Sequence, residues 1–184
     1  MTLLQSFDLN DGYLRADINP RRGQSFKLTQ GALITSVKFR LSKVNSPTGN
    51  LTAEIWAHSG TFGSGAVPTG SALAVSTNSI DVSTLPTDAS ASVLSELTFT
   101  PYAIAANVPY FLIAAHTPSS PNFAELHGHN VGGGSAHAGN GVQFISGNWV
   151  ASASTDFDFY LYGTYVAPYI TGVQSITGIS SITF

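Results

Sequence analysis

Apolar and polar residues alternate along much of this chain. In VKFRL, Val37, Phe39 and Leu41 fall on one face and Lys38 and Arg40 on the other. LTAEIWAH repeats the pattern, with Leu51, Ala53, Ile55 and Ala57 against Thr52, Glu54, Trp56 and His58. A period of two is that of a half-buried strand. Further strands are predicted over 72–76, 93–99, 108–116, 142–145 and 157–165. In the last, Phe157, Phe159, Leu161 and Tyr165 face inward, and Asp158, Tyr160, Tyr162 and Thr164 outward. NSPTGN and SGTFGSGAVPTG supply the turn residues between strands. No eleven-residue window carries a helical stripe with caps. About eight short strands separated by turns predict an all-β fold, an antiparallel sandwich or jelly roll.

The runs GQSFKL and ITSVKFRLSKVNSPTGNLTAEIWAHSGT, then PYAIAANVPYFLIAA, then GNWVASASTDFDFYLYGTY carry a resemblance. They are similar to the choice-of-anchor type of jelly-roll module, found in bacterial surface proteins and phage virion proteins. The likeness spans roughly residues 22 to 165 and rests on fold signatures. It implies a passive sandwich whose ends attach it to something larger. Three segments are expected: an N-terminal arm (1–21), the sandwich (22–166) and a C-terminal tail (167–184).

Composition narrows the class. Charged residues are 9% of the 184, against roughly 25% in an ordinary domain. Mean hydropathy is +0.16, yet the longest apolar stretch, Tyr110 to Ala115, is far short of the about 20 residues of a membrane span. There is no cysteine, which rules out disulfides and thiolate metal sites. The N-terminus lacks the basic and apolar regions of a signal peptide. All seven basic residues precede Val44 with three acids, and seven acids follow, so the two parts are formally +4 and −7. A docking end of complementary charge, including Arg21 and Arg22, is one reading of this asymmetry; compositional drift is the other. A net charge of −3 argues against nucleic acid.

Chemistry-bearing motifs are few. G-x-S-x-G, P-loop and H-E-x-x-H patterns are absent. Asp156 and Asp158 lie close together on one predicted strand face. His127 and His129 share strand parity with Glu125, and His137 follows a glycine-rich loop. Such a set suits Zn²⁺, and the alternative is three solvated loop residues. DLNDG (Asp8 to Gly12) reads as a turn that misses the Ca²⁺-loop spacing. No cofactor and no enzymatic activity are expected.

Aromatic residues offer more. Trp56 falls on the polar face of its strand, where it can stack on a sugar, seal an interface or lie under a loop. Tyr160 and Tyr162 face outward and extend the same patch if their strand adjoins it. Trp149 reads as a core aromatic at a strand end.

The last sixteen residues, YITGVQSITGISSITF, repeat an aliphatic every third position: Ile170, Val173, Ile176, Ile179 and Ile182, closed by Phe184. Alone in water such a segment cannot offset its ordering entropy. Three copies about an axis, or one copy in a partner's groove or sheet edge, would bury it. The expectation is therefore a non-enzymatic phage virion protein (decoration, fibre or tail-associated), made in the host cytoplasm. It would be a homo-oligomer with a trimer favoured, bound to a capsid or tail protein. A carbohydrate-binding module of a surface or secreted protein is the alternative.

Overall fold

The computed structural model describes residues 1–9, 14–18, 20–87, 92–117, 121–130 and 137–167. Two seven-stranded antiparallel sheets face one another. Sheet I holds β1 (Thr2–Phe7), β2 (Leu14–Asp17), β4 (Ala32–Val44), β8 (Val93–Ile104), β10 (Phe123–Asn130), β13 (Thr155–Phe157) and β14 (Phe159–Tyr165). Its path runs β1-β14-β4-β10-β13, with β8 on β4 and β2 on β10. Sheet II runs β12-β11-β3-β9-β5-β6, with β7 on β5. Its strands are β3 (Arg21–Lys27), β5 (Asn50–Ser59), β6 (Val67–Val75), β7 (Ile80–Asp81), β9 (Pro109–Ala115), β11 (Gly141–Ile145) and β12 (Asn148–Ser152). Among the described residues the only helical piece is a 3₁₀ turn, Val82–Thr84.

Alternation decides what lies between the sheets. Val37, Phe39 and Leu41 on β4, Leu51, Ala53 and Ile55 on β5, and Phe159 and Leu161 on β14 are all fully buried. They join Phe26, Leu97, Leu112 and Leu126 in one core. Burying a single Leu, Ile or Phe side chain contributes about 1.5–3 kcal/mol, so this inner layer dominates the stability.

Three expectations change. The fold has fourteen strands among the described residues, not about eight, because several are short edge pieces with too few residues to show a period. The N-terminal segment expected as an arm enters sheet I: β1 pairs with β14 from Thr2↔Gly163 to Phe7↔Phe159, and β2 pairs with β10. Leu4 on β1 and Ala16 on β2 belong to the core. Tyr165, expected inward, is 40% exposed and donates its hydroxyl to the Leu4 carbonyl. A register shift at Tyr162/Gly163 upsets the alternation of β14 there. Ile170, Val173, Ile176, Ile179, Ile182 and Phe184 lie outside the described residues.

The connections orient the sandwich. β3 ends at Lys27 and β4 begins at Ala32, so those residues share one end. Val166 N–H bonds to Gly31 O there, and Asn107 N–H to Leu28 O. Thr2 and Tyr165 belong to this end as well. Arg21, paired with Ala115, marks the opposite end, with Val44 and Asn50. At about 3.3 Å per residue, the thirteen residues of β4 separate the two ends by about 40 Å.

Candidate functional site

The outer face of sheet II carries a second, smaller apolar cluster. Ala66, Phe111, Ile113 and Val142 are buried there, with Trp56 and Trp149 packed on them. Phe111 and Ile113 point outward because Leu112 and Ala114 point into the main core. The loop after β5 folds back over this face: Asn140 donates to Ala66 O, and His58 stacks on Phe111 at 5.2 Å. Gly23 on β3 has no room for a side chain, since a Cβ would meet Leu112 O at 1.9 Å.

Trp56 is outward and half-buried, as its parity required. Its indole N–H donates to Glu54 Oε2 at 2.7 Å. Glu54 is buried and also takes both Nε and Nη2 of Arg21, at 2.9 and 3.2 Å. The Arg21 guanidinium lies 5.9 Å from the Trp56 ring centre. Trp149 meets Trp56 edge-on at 5.6 Å, and Phe144 meets Trp149 at 5.1 Å. Trp149 therefore sits on the outer face and not in the main core. The β11–β12 hairpin puts it there: Ser146 and Gly147, both at positive φ, make the two-residue turn that pairs Phe144 with Trp149. The signal available in the sequence was S-G between Phe144-Ile145 and Asn148-Trp149.

Two clefts open at the Arg21 end. One of about 190 Å³ is walled by Pro20, Arg21, Asn50, Thr52, Glu54 and His116, with Ala115 and Thr117 at its edge. His116 is 3% exposed. Its Nε2 lies 3.0 Å from the Thr48 carbonyl, so Nε2 carries the proton and Nδ1 is an acceptor. Across Pro20 a second cleft, about 340 Å³, is lined by Asp17, Arg22, Gln143, Ile145 and Ser146. Arg22 donates its Nε to the Asp17 carbonyl at 2.9 Å and lies over Phe157. Burial lowers the Arg22 pKa, opposed by Asp17; burial and then Glu125 raise that of Asp17.

Arg21 and Arg22 thus project into different clefts, and part of the charge asymmetry of the sequence is paired off within the fold. Arg21 pairs with Glu54, Lys38 with Glu96, and Arg40 with Asp158, each joining the basic segment to the acidic one.

Tyr160 and Tyr162 do not extend the Trp56 patch. They belong to sheet I, and Trp56 to sheet II, because among the described residues β14 pairs with β4 and β1. Tyr160 donates to Asp8 Oδ2 at 2.8 Å, a bond that heads the causes raising its pKa. Lys38 Nζ lies 5.4 Å from the Tyr162 ring centre. Asp8, the start of DLNDG, is an Arg40 partner; residues 10–13 lie outside the described set.

The histidines divide. On β10, His127 is buried with Nε2 2.7 Å from Ser42 Oγ, and Ser42 also bonds Glu125 at 2.7 Å. His129 lies opposite Asp156 on β13. His137 belongs to another network, edge-on between Phe7 and Phe159. Among the described residues no group of three or more His, Cys, Asp or Glu side chains is arranged to hold a metal. Asp156 and Asp158 also part company: Asp156 bonds Gln24 and the His137 N–H, while Asp158, at the break between β13 and β14, faces Arg40.

At His137, Gly139 N–H and the Gln24 amide both reach Nδ1, at 3.0 and 3.1 Å. The proton then resides on Nε2, which lies 3.2 Å from the Gln5 amide nitrogen, so Gln5 accepts it only with that amide turned to present its oxygen. Burial depresses the His137 pKa, with Asp156 opposing, and burial depresses that of His58. As pH falls below the unfolded value of about 6.5, the unfolded chain takes up protons before the folded one. These two contributions are complete above that pH and decline as pH drops through the folded values. Asp17, shifted upward, acts in the opposite sense, losing its contribution as pH rises. Urea midpoints should hold level from pH 8 to 7 and fall from pH 6.5 towards 5. His137→Gln should show a shallower fall, and an unchanged slope would place the effect elsewhere.

Neither a family model nor a curated protein matches this chain.

Proposed function

We propose that this protein is a non-enzymatic phage virion structural protein, a decoration, fibre or tail-associated sandwich held to its particle through its terminal segments. The observation that supports this reading best is the placement of the ends. Thr2 lies opposite Gly163 on adjacent strands, and Val166 follows at the same end of sheet I. Attachment there leaves the opposite end, with Arg21, Arg22 and the two clefts, displayed about 40 Å away along β4. The described side chains of Arg21, Arg22, Lys27, Lys38, Arg40 and Lys43 each contact other residues of the sandwich. The resemblance to choice-of-anchor modules and the period-three tail agree with attachment through the ends.

Deleting residues 169–184 tests it. The full chain is expected to sediment as an oligomer, a trimer being favoured, and to co-purify with particles. The shortened chain should remain folded and soluble but monomeric. A full chain that is monomeric and never particle-bound would sink the proposal.

A second reading, a carbohydrate-binding module, is favoured by the Trp56–Trp149 pair beside a polar cleft on the displayed end. The two readings are compatible on one particle.

A further inference from the structure

We infer that the cleft walled by Pro20, Arg21, Asn50, Thr52, Glu54 and His116 binds one neutral pyranose ring of a glycan; this deepens the carbohydrate-binding reading and rests on it. The first argument is hydrogen-bonding capacity. Among the described residues, the Asn50 amide and the Thr52 and Thr117 hydroxyls have no hydrogen-bond partner, although all three line the cleft. An amide and two hydroxyls match the donor and acceptor pairs of vicinal sugar hydroxyls.

Charge is the second argument. Glu54 has both oxygens engaged by Arg21, with Trp56 N–H adding a third bond. The two charges cancel within the wall, which leaves no net field for an ionic ligand. Size is the third: about 190 Å³ lies below the roughly 300 Å³ at which pockets for drug-sized ligands begin, and suits a single ring. Finally, Trp56 shares Glu54 with the cleft and Trp149 abuts it. Neither ring lines the cleft itself; they lie on the same outer face as its Glu54 wall and add an apolar surface next to it. Glu54 is thus the hinge between the two kinds of contact, fixing the Arg21 fork and the Trp56 ring together.

The test uses the full chain with methyl hexopyranosides and immobilised neutral oligosaccharides. Indole fluorescence is the reporter, since Trp56 and Trp149 are the only tryptophans. Saturable binding is expected. It should weaken by about two- to tenfold in Asn50→Ala and in Thr52→Val, the loss typical of one hydrogen bond, with unfolding midpoints unchanged. Tyr162→Phe, on the other sheet, should bind as the unaltered protein does. Binding lost in Trp56→Ala but indifferent to Asn50→Ala and Thr52→Val would overturn the cleft assignment and leave the carbohydrate reading standing. Binding confined to carboxylate-bearing sugars would also overturn it, in favour of the Arg22 cleft. No binding by the full chain would end both.

Discussion

Gln24→Leu is expected to destabilise the fold by about 3–5 kcal/mol, a large share of the roughly 5–15 kcal/mol of a typical domain. Gln24 is fully buried on β3, in sheet II, yet its partners come from strands and turns on the other side of the core. Its amide nitrogen donates to Asp156 Oδ1 at 2.9 Å and reaches His137 Nδ1; its oxygen accepts Phe157 N–H at 3.0 Å. One side chain therefore serves a backbone donor, a carboxylate and an imidazole, none of which has access to bulk water. Leucine fills the volume but supplies none of these bonds. The fully buried Asp156 then loses a charge-assisted bond, and the Phe157 N–H loses its acceptor. A chemical-denaturation midpoint would measure the loss, accompanied by a fall of roughly 10 °C in thermal midpoint. A change under 1 kcal/mol would show that the network relaxes around the gap and that Gln24 does not tie the sheets together.

Arg40→Met should have an effect of similar size by a different route. The Arg40 side chain is 14% exposed and sits between Asp8 and Asp158, each 4% exposed. Nη2 bonds Asp8, which also receives the Tyr160 hydroxyl, and Nε lies 3.6 Å from Asp158. Methionine preserves much of the stem but leaves two buried carboxylates facing each other without a cation. Breaking a buried ion pair in this way costs about 3–5 kcal/mol. The remedy identifies the cause: adding Asp8→Asn and Asp158→Asn to Arg40→Met should recover most of the loss, because neutral amides need no counter-charge. If the triple variant were no more stable than Arg40→Met alone, packing and not charge would explain the cost.

Arg40 also shows how far a sequence can be read. Its outward parity was visible in VKFRL, and outward ordinarily means solvated. It is nearly buried because β1 pairs on the far side of β14 and sets Asp8 beside Asp158. That arrangement depends on the first and last strands being neighbours, a relation separated by about 150 positions along the chain. The same limit applies to the histidines. His127 and His129 do sit two apart on one strand, as their spacing implied. His137, close in sequence, is drawn away by Gln24, Gly139 and the Phe7 and Phe159 rings. Ser42, which bonds both His127 and Glu125 of β10, comes from β4, paired with β10 in register.

The candidate site divides in the same way. Trp56 was readable as an outward aromatic from the alternation of LTAEIWAH. Trp149 was not, since its face depends on a two-residue turn that reverses the chain between Phe144 and Trp149. The cleft was beyond reach altogether: Pro20, Asn50 and His116 come together only because β3, β5 and β9 are neighbours in sheet II.

What the sequence determined by itself was the period: strands, two apolar faces to bury, and hence a sandwich with Trp56 outside. Period is a local property, because successive Cβ atoms point to opposite faces whatever the neighbours are. Which strand lies beside which was decided by the tertiary structure alone, through turns, register shifts and long-range pairing. That choice brought Thr2 and Val166 to one end of the folded body, paired three of the basic residues with acids of the later segment, and separated Tyr160 and Tyr162 from Trp56. It also placed an Arg21–Glu54 pair beside an indole, at the end remote from Thr2 and Val166.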